Sequence, residues 1–370
     1  MKVLFIHNTL AEYRISFFQE LSRLVNLDIL ITEEGLASSI YNLAPSQKTL
    51  NTLNVITLDR VKDIEIIIEN GLYDIVVLPP IDNFYQIKCA YSALCVCKTK
   101  GIKTVYWTEK WEALTQLQPL TKRIKNYIQA RLISFFASRC DLCIASGTKS
   151  KSYFQSIGIL DSKINIAIDS STSVPYKGKI DIREIYNIPK NGKIILYLGR
   201  LVKRKGCAIL IDAFKDLSSD NLLYLLICGE GEEEQQLLNY VNKHNIRNII
   251  FTGKINPDIR SEYFEQSNIF VLPSYTYGGV IEAWGLTVNE SLEQGTPVVV
   301  TTAVGAGYDL SDNKCCIMVN ENDKNALMEG IKKIIANGDV TDLCKRRYEL
   351  FSIKRMARSF YNTFQQMNIK

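Results

Sequence analysis

The sequence predicts an α/β chain made of two parallel-sheet domains of similar size, and three observations carry that class. Short apolar runs recur at residues 3–6, 27–31, 54–58, 75–78, 104–107 and 142–145, then again at 193–198, 223–228, 248–252, 269–272 and 297–301. Helix-like segments separate most of them: Phe17, Leu21 and Leu24 share one helical stripe, and so do Ala90, Leu94 and Cys97. Between the two series, residues 170–179 are polar, carry Pro175 and Gly178, and have no period, which marks a linker. Strands alternating with helices give a sheet covered on both faces, hence two Rossmann-like domains. In such sheets ligands bind beyond the carboxyl ends of the strands.

Composition sets the outer bounds. A length of 370 residues suits two domains, and 46% hydrophobic with 22% charged residues suits a soluble globular chain. The net charge of +5 is mild. It calls for no nucleic acid, and it suits an anionic substrate or a negatively charged membrane surface. The first apolar run is too short for a signal peptide, and residues 222–228 fall far short of a membrane span. Ten cysteines are scattered without framework spacing, many inside apolar runs, as reduced core thiols would be. Cys140 and Cys143 form one C-x-x-C pair, but no second pair lies near it and the chain has two histidines, so a zinc site is not expected. These features predict a cytoplasmic protein.

In the first half the carboxyl-end loops are 7–14, 79–83 and 107–112. The first contains no glycine, which removes the main support for a dinucleotide fingerprint. His7 reads either as a polar group satisfied at a strand end or as a lining residue. Arg14 reads as a phosphate ligand or as a packing residue. The run Trp107-Thr-Glu109-Lys110-Trp111-Glu112 suits a sugar platform and equally a loop packed on the core. Residues 120–136 read as a helix carrying Lys122, Arg123, Lys125 and Arg131 among Ile124, Tyr127, Ile128, Leu132, Phe135 and Phe136. Such a helix can be a scaffold with a solvated face or can lie on anionic lipid.

The second half is organised around residues 274–300. A Gly-rich turn with Gly278, Gly279 and Gly285 lies between two strand-like runs, followed by a helix-like segment at 286–293. A strand, a glycine loop and a helix start together make an anion site. Glu282 and Glu290 frame it. Earlier, Gly199-Arg200-Leu-Val-Lys203-Arg204-Lys205-Gly206 follows a strand and combines a freed backbone with cations that match a diphosphate. Gly229-Glu-Gly231 and Thr252-Gly253-Lys254-Ile255 follow the next two strands.

The run from Glu282-Ala-Trp-Gly285-Leu286-Thr287-Val-Asn-Glu290 to Gly295-Thr-Pro-Val resembles the donor-binding motif of retaining family-4 glycosyltransferases of the GT-B fold. By that resemblance the fold is GT-B, with residues 1–172 binding the acceptor, residues 173–351 binding a nucleotide sugar, and a terminal helix within 352–370 crossing back. Arg200, Lys205 and Glu282 would be catalytic: the first two clamp the diphosphate, and Glu282 holds the sugar hydroxyls. Gly199, Gly229, Gly231 and Gly285 would line the donor, Lys254 and Ile255 the base, main-chain groups near Leu286 and Thr287 the phosphate, and Glu290 the ribose. The first loop is similar to the Asn-x4-Tyr-Arg entry of family members that extend surface polysaccharides, which places His7 and Arg14 on the acceptor side, and Glu109 is set there with them as the nearest polar candidate in its own loop. Relatives carry a histidine near Glu109 that this chain lacks.

The resemblance implies transfer of a sugar from a UDP- or GDP-linked donor to a carbohydrate, lipid-linked acceptor, with retention of configuration. No Asp-x-Asp motif occurs, so neither cofactor nor metal is expected, and the cations with a helix start would neutralise the leaving diphosphate. Two alternatives remain: a hydrolysing 2-epimerase, or an inactive binding homologue.

Overall fold

The computed structural model describes residues 1–33, 52–111, 118–173, 178, 180–217 and 222–367. They form two compact units. The first joins residues 1–111 and 118–171 to the terminal segment from Ile353, and the second spans residues 172–352.

In the first unit the order is β1 (Lys2–His7), α1 (Glu12–Ser22), β2 (Asn26–Ile31), β3 (Asn54–Thr57), α2 (Asp63–Gly71), β4 (Ile75–Leu78), α3 (Phe84–Lys100), β5 (Lys103–Thr108), α4 (Leu120–Arg139), β6 (Leu142–Ala145), α5 (Thr148–Ser156) and β7 (Ile164–Ile166). The sheet order is β3-β2-β1-β4-β5-β6-β7, with every pair parallel. Alternation along β1 explains the two cores. Val3 and Phe5 pack on α1, whereas Leu4 and Ile6 pack on the face covered by α2 and α3. Local signals agree with the helices: Asn83 caps α3 by accepting from Gln86 N at 2.9 Å, and Gly101 (φ 69°) closes it. The chain returns here at its end through α14 (Ile353–Gln365), whose Phe360 touches Phe5, Phe17 and Trp107.

The second unit runs α6 (Ile182–Ile185), β8 (Lys193–Leu198), α7 (Cys207–Leu217), β9 (Leu223–Cys228), α8 (Glu234–Lys243), β10 (Ile249–Gly253), α9 (Arg260–Glu265), β11 (Ile269–Leu272), α10 (Thr287–Glu293), β12 (Val298–Thr301), α11 (Gly305–Leu310), β13 (Cys316–Val319), α12 (Lys324–Ala336) and α13 (Thr341–Leu350). Its order, β10-β9-β8-β11-β12-β13, is again wholly parallel and reverses direction between β8 and β11. That reversal is the topological switch point, where loops diverge and leave room for a ligand.

Three features differ from the sequence expectation. Strands β7 and β13 appear at sheet edges; one is three residues long, the other follows a turn in which Asp312 Oδ1 accepts from the main-chain N–H groups of Lys314, Cys315 and Cys316. The helix expected at 120–136 continues to Arg139. The polar run at 170–179 begins inside the protein, because Ser170, Ser171 and Ser173 are buried. Glu293 holds its far side, accepting from Ser173 N at 2.8 Å and Ser173 Oγ at 3.0 Å. Residues 174–177 and 179 of that run, and Glu112, lie outside the described residues.

Candidate functional site

The loops at the carboxyl ends of β8, β9 and β11 meet at close quarters, and their glycines show why. A Cβ on Gly229 would stand 1.9 Å from Gly199 O, and one on Gly231 would stand 2.3 Å from Leu201 O. Gly206 has φ 70°, and a Cβ there would lie 2.0 Å from Pro273 O. Main-chain bonds lock the approach: Gly199 N donates to Cys228 O at 3.0 Å, Leu201 N to Glu230 O at 2.8 Å, and Tyr275 N to Arg204 O at 2.9 Å. The basic turn is thereby fixed against the loop that follows β11. It brings four cations, Arg200, Lys203, Arg204 and Lys205, to the switch point.

Glu282 answers them. Its Oε2 accepts from Lys205 Nζ at 2.5 Å and from Arg204 Nη1 at 2.9 Å. Its main chain is strapped down, with Glu282 N on Ala303 O at 3.0 Å and Gly305 N on Glu282 O at 3.1 Å. Burial pushes the Glu282 carboxyl up, but Lys205 and Arg204 outweigh it and hold the group below its ordinary value. At Lys205 burial wins over Glu282, and with Arg204 and Arg200 nearby the ammonium is lowered. Arg204 thus joins the site as fully as Lys205, while Arg200 stays exposed at the end of β8.

Glu290 lies one helix away, on α10, and is 2% exposed. Arg260 on α9 donates to it from Nη2 at 3.0 Å. Sequence reasoning missed Arg260, which sits 30 residues from its partner and in no motif. Gly285 (φ 95°) turns the chain into α10, which begins at Leu286 and Thr287, and Trp284 anchors that turn by donating to Asn289 Oδ1 at 2.9 Å. Lys254 is exposed beyond β10, its main-chain N 3.3 Å from Glu230 Oε1, and Ile255 is half-buried beside it. A separate cavity of about 620 Å³, lined by Lys193, Ile269 and Pro297 among others, opens at the amino ends of β8, β11 and β12, the opposite end of the sheet. Among the described residues no group of three or more His, Cys, Asp or Glu side chains is placed to hold a metal ion.

In the first unit, Arg14 is 1% exposed and inside the protein. It makes a fork pair with Asp169, Nη1–Oδ1 2.5 Å and Nη2–Oδ2 2.9 Å, and Nη2 also donates to Glu109. Its guanidinium lies 5.0 Å from the Trp107 ring centroid. The guanidinium is thus held by two carboxylates and lies beside an indole. Asp169 was not foreseen, although a lone carboxylate closing an apolar run after β7 sits where charged groups gather. His7 is half-buried, with Nδ1 2.8 Å from Thr9 O, among the rings of Phe5, Phe18 and Trp107.

The electrostatics of these two groups invert the usual order. Burial, then the Arg14 charge, lower His7 to about 4. Burial, opposed by Arg14 and reinforced by Asp169 and Asp82, raises Glu109 to about 7. The folded-state value of Glu109 lies above the unfolded one of about 4.3, so its contribution to stability is full below that value and is lost as pH rises through about 7. A carboxyl signal should therefore titrate near neutrality by carbon NMR and vanish in Glu109→Gln, while His7 stays neutral above pH ~5. Persistence of the neutral titration in that variant would contradict the assignment.

Comparison with known proteins places this geometry. The family profile for glycosyl transferases group 1 matches residues 178–349. An uncharacterized glycosyltransferase of Methanocaldococcus jannaschii is 24% identical over 199 residues, 52% of this chain and 50% of the relative. A lipopolysaccharide core biosynthesis glycosyltransferase of Rhizobium meliloti, LpsE, is 28% identical over 162 residues, 44% of this chain and 45% of the relative. The chain spans about half the length of these curated relatives. The structure of HepE of Anabaena in complex with UDP aligns with a TM-score of 0.75 at 15% identity, covering 99% of this chain and 100% of that one, a likeness of fold. Residues 178–349, which hold the glycine loops, the cation turn and both framing glutamates, are thus similar to the group 1 glycosyl transferases, and the chain has the GT-B fold.

Proposed function

We propose that the second unit binds a nucleoside-diphosphate sugar, UDP- or GDP-linked, and that the chain transfers the sugar to a carbohydrate acceptor with retention at the anomeric carbon. The observation that carries this reading is the cation turn packed against Glu282 at the switch point, with the buried Glu290 one helix away. Arg200, Arg204 and Lys205 receive the diphosphate, aided by main-chain groups at Leu286 and Thr287. Glu282 holds sugar hydroxyls and Glu290 the ribose hydroxyls, while the loops at Gly229 and Lys254–Ile255 border the nucleoside. As the anomeric C–O bond breaks, charge grows on the diphosphate oxygen, and fixed cations stabilise it without rearranging. The acceptor hydroxyl attacks from the same face, its oxygen bonds to the anomeric carbon, and its proton passes to the leaving phosphate oxygen. The cations take the neutralising role that a metal plays in other transferases, so no cofactor is required.

On the acceptor side, Glu109 offers a partly exposed carboxylate in the first unit. A relative acts in lipopolysaccharide core biosynthesis, which favours a lipid-linked acceptor used at the inner face of the cytoplasmic membrane. No described helix is long and apolar enough to cross a membrane. Helix α4, however, exposes Leu120, Ile124, Tyr127, Ile128 and Phe135 along one stripe. It carries Lys122, Arg123, Lys125, Arg131 and Arg139 and not one acidic residue. That composition suits peripheral contact with anionic lipid.

A panel of nucleotide sugars screened for binding, then for product, tests the proposal. One nucleoside diphosphate should bind with undiminished affinity in a chelator, and the product should carry the donor's anomeric configuration. Glu290→Ala should cost tenfold or more in donor affinity, since bonds to a charged group contribute roughly 1.5–3 kcal/mol. An inverted product, or chelator-sensitive transfer, would sink the mechanism; free sugar released without acceptor would point to a hydrolysing epimerase.

Membrane contact is tested separately. Neutralising Lys122, Arg123 and Lys125 together should weaken sedimentation with anionic vesicles at low salt, each cation contributing about 1 kcal/mol. Equal binding to neutral and anionic vesicles would leave α4 as scaffold.

A further inference from the structure

We infer that Glu282 is an internal anion that competes with a ligand's phosphates for the Lys205 and Arg204 cations, and that its release discriminates the sugar donor from a bare nucleoside diphosphate. The inference rests on the donor reading above and adds to it a competition between one carboxylate and two phosphates. A single oxygen of Glu282 takes both cations, at 2.5 Å and 2.9 Å. All three side chains are largely enclosed, keeping 14%, 22% and 16% of their surface for Lys205, Arg204 and Glu282. The backbone on either side cannot follow a ligand. Gly206 presses on Pro273 O, Tyr275 N holds Arg204 O, and Glu282 is bonded through both its N–H and its C=O to the loop after β12. Only the side chains are free to exchange partners.

Consider what each ligand offers. A nucleoside diphosphate brings two phosphates to the cations and displaces Glu282, but gives that carboxylate nothing in return. A buried charge stripped of its partner is costly. A nucleotide sugar delivers hydroxyls along with its diphosphate, so the released carboxylate accepts new hydrogen bonds at once. Glu282 thus penalises the leaving nucleoside diphosphate and spares the intact donor. Lys205 favours the same exchange: burial and the like charges of Arg204 and Arg200 crowd it, and extra negative charge relieves the crowding.

The test is calorimetric titration of the whole chain with UDP, GDP and inorganic pyrophosphate in chelator, and with the nucleotide sugar that the binding panel selects, native against Glu282→Gln. The variant keeps the shape and removes the charge. It should bind the nucleoside diphosphate and pyrophosphate about tenfold tighter, while the ratio of donor to nucleoside-diphosphate affinity falls by a similar factor and transfer slows. Should Glu282→Gln not fold, Glu282→Asp, with the carboxylate drawn back by one methylene, should shift affinity in the same direction. Unchanged or weaker binding by a folded variant overturns the inference. So does loss of the fold in both variants, which would make the contact a structural ion pair. If the native chain binds none of the three probes, the donor reading itself fails; if it binds and the variant binds no tighter, only the competition fails.

Discussion

The contact between Glu282 and the cations of the turn after β8 is the interaction on which the second unit's site depends. Remove the carboxylate, and Arg204 and Lys205 lose the one oxygen to which both donate. Remove the cations, and a carboxylate 16% exposed has lost its partners. Neither half is stable alone in so enclosed a place, so the two loops that carry them must come together. The glycines make that possible, since Gly206 and Gly229 let backbones approach to distances that any Cβ would prevent. Sheet order then decides where the meeting occurs, because only the switch point between β8 and β11 leaves room above the strands.

The first unit repeats the device with the signs reversed. One buried cation, Arg14, gathers two carboxylates, Asp169 and Glu109, over the Trp107 ring. Asp169 is fully enclosed and Glu109 is not, so the pair is unequal. The enclosed partner fixes the guanidinium, and the guanidinium fixes the exposed partner. A carboxylate held in place yet reachable, with its proton affinity raised toward neutrality by burial, is a group that can exchange hydrogen bonds with a polyhydroxylated ligand.

Much of this was legible in the sequence. Central strands such as Ile269–Leu272 are buried on both faces and read as unbroken apolar runs. The glycine loops and the Glu282–Glu290 segment declare themselves because tight approach and anion binding restrict which residues can serve. Two edge strands, β7 and β13, did not: Ile164–Ile166 is three residues long with an asparagine at its centre, so tertiary pairing rather than local pattern makes it a strand. Partnerships were hidden as well. Arg14 and Asp169 are 155 residues apart, Arg260 and Glu290 are 30 apart, and no local rule connects them. Arg14 illustrates the limit: its neighbours in sequence give no sign of the two carboxylates that the fold brings to it. The serines after Asp169 mislead in the opposite way, since polar composition there serves buried hydrogen bonding as well as a linker.

The measurement that bears most directly on the central claim is hydrogen exchange of the whole chain with and without a nucleoside diphosphate in chelator. Binding at the switch point should slow exchange in the loops after β8, β9 and β11 and in the first turn of α10, since the proposed diphosphate site is bordered by those main-chain groups. The amino ends of β8, β11 and β12, where the separate cavity lies, should exchange as before. Protection confined to that opposite end, or none in the 199–206 and 282–290 loops despite measurable binding, would contradict the account.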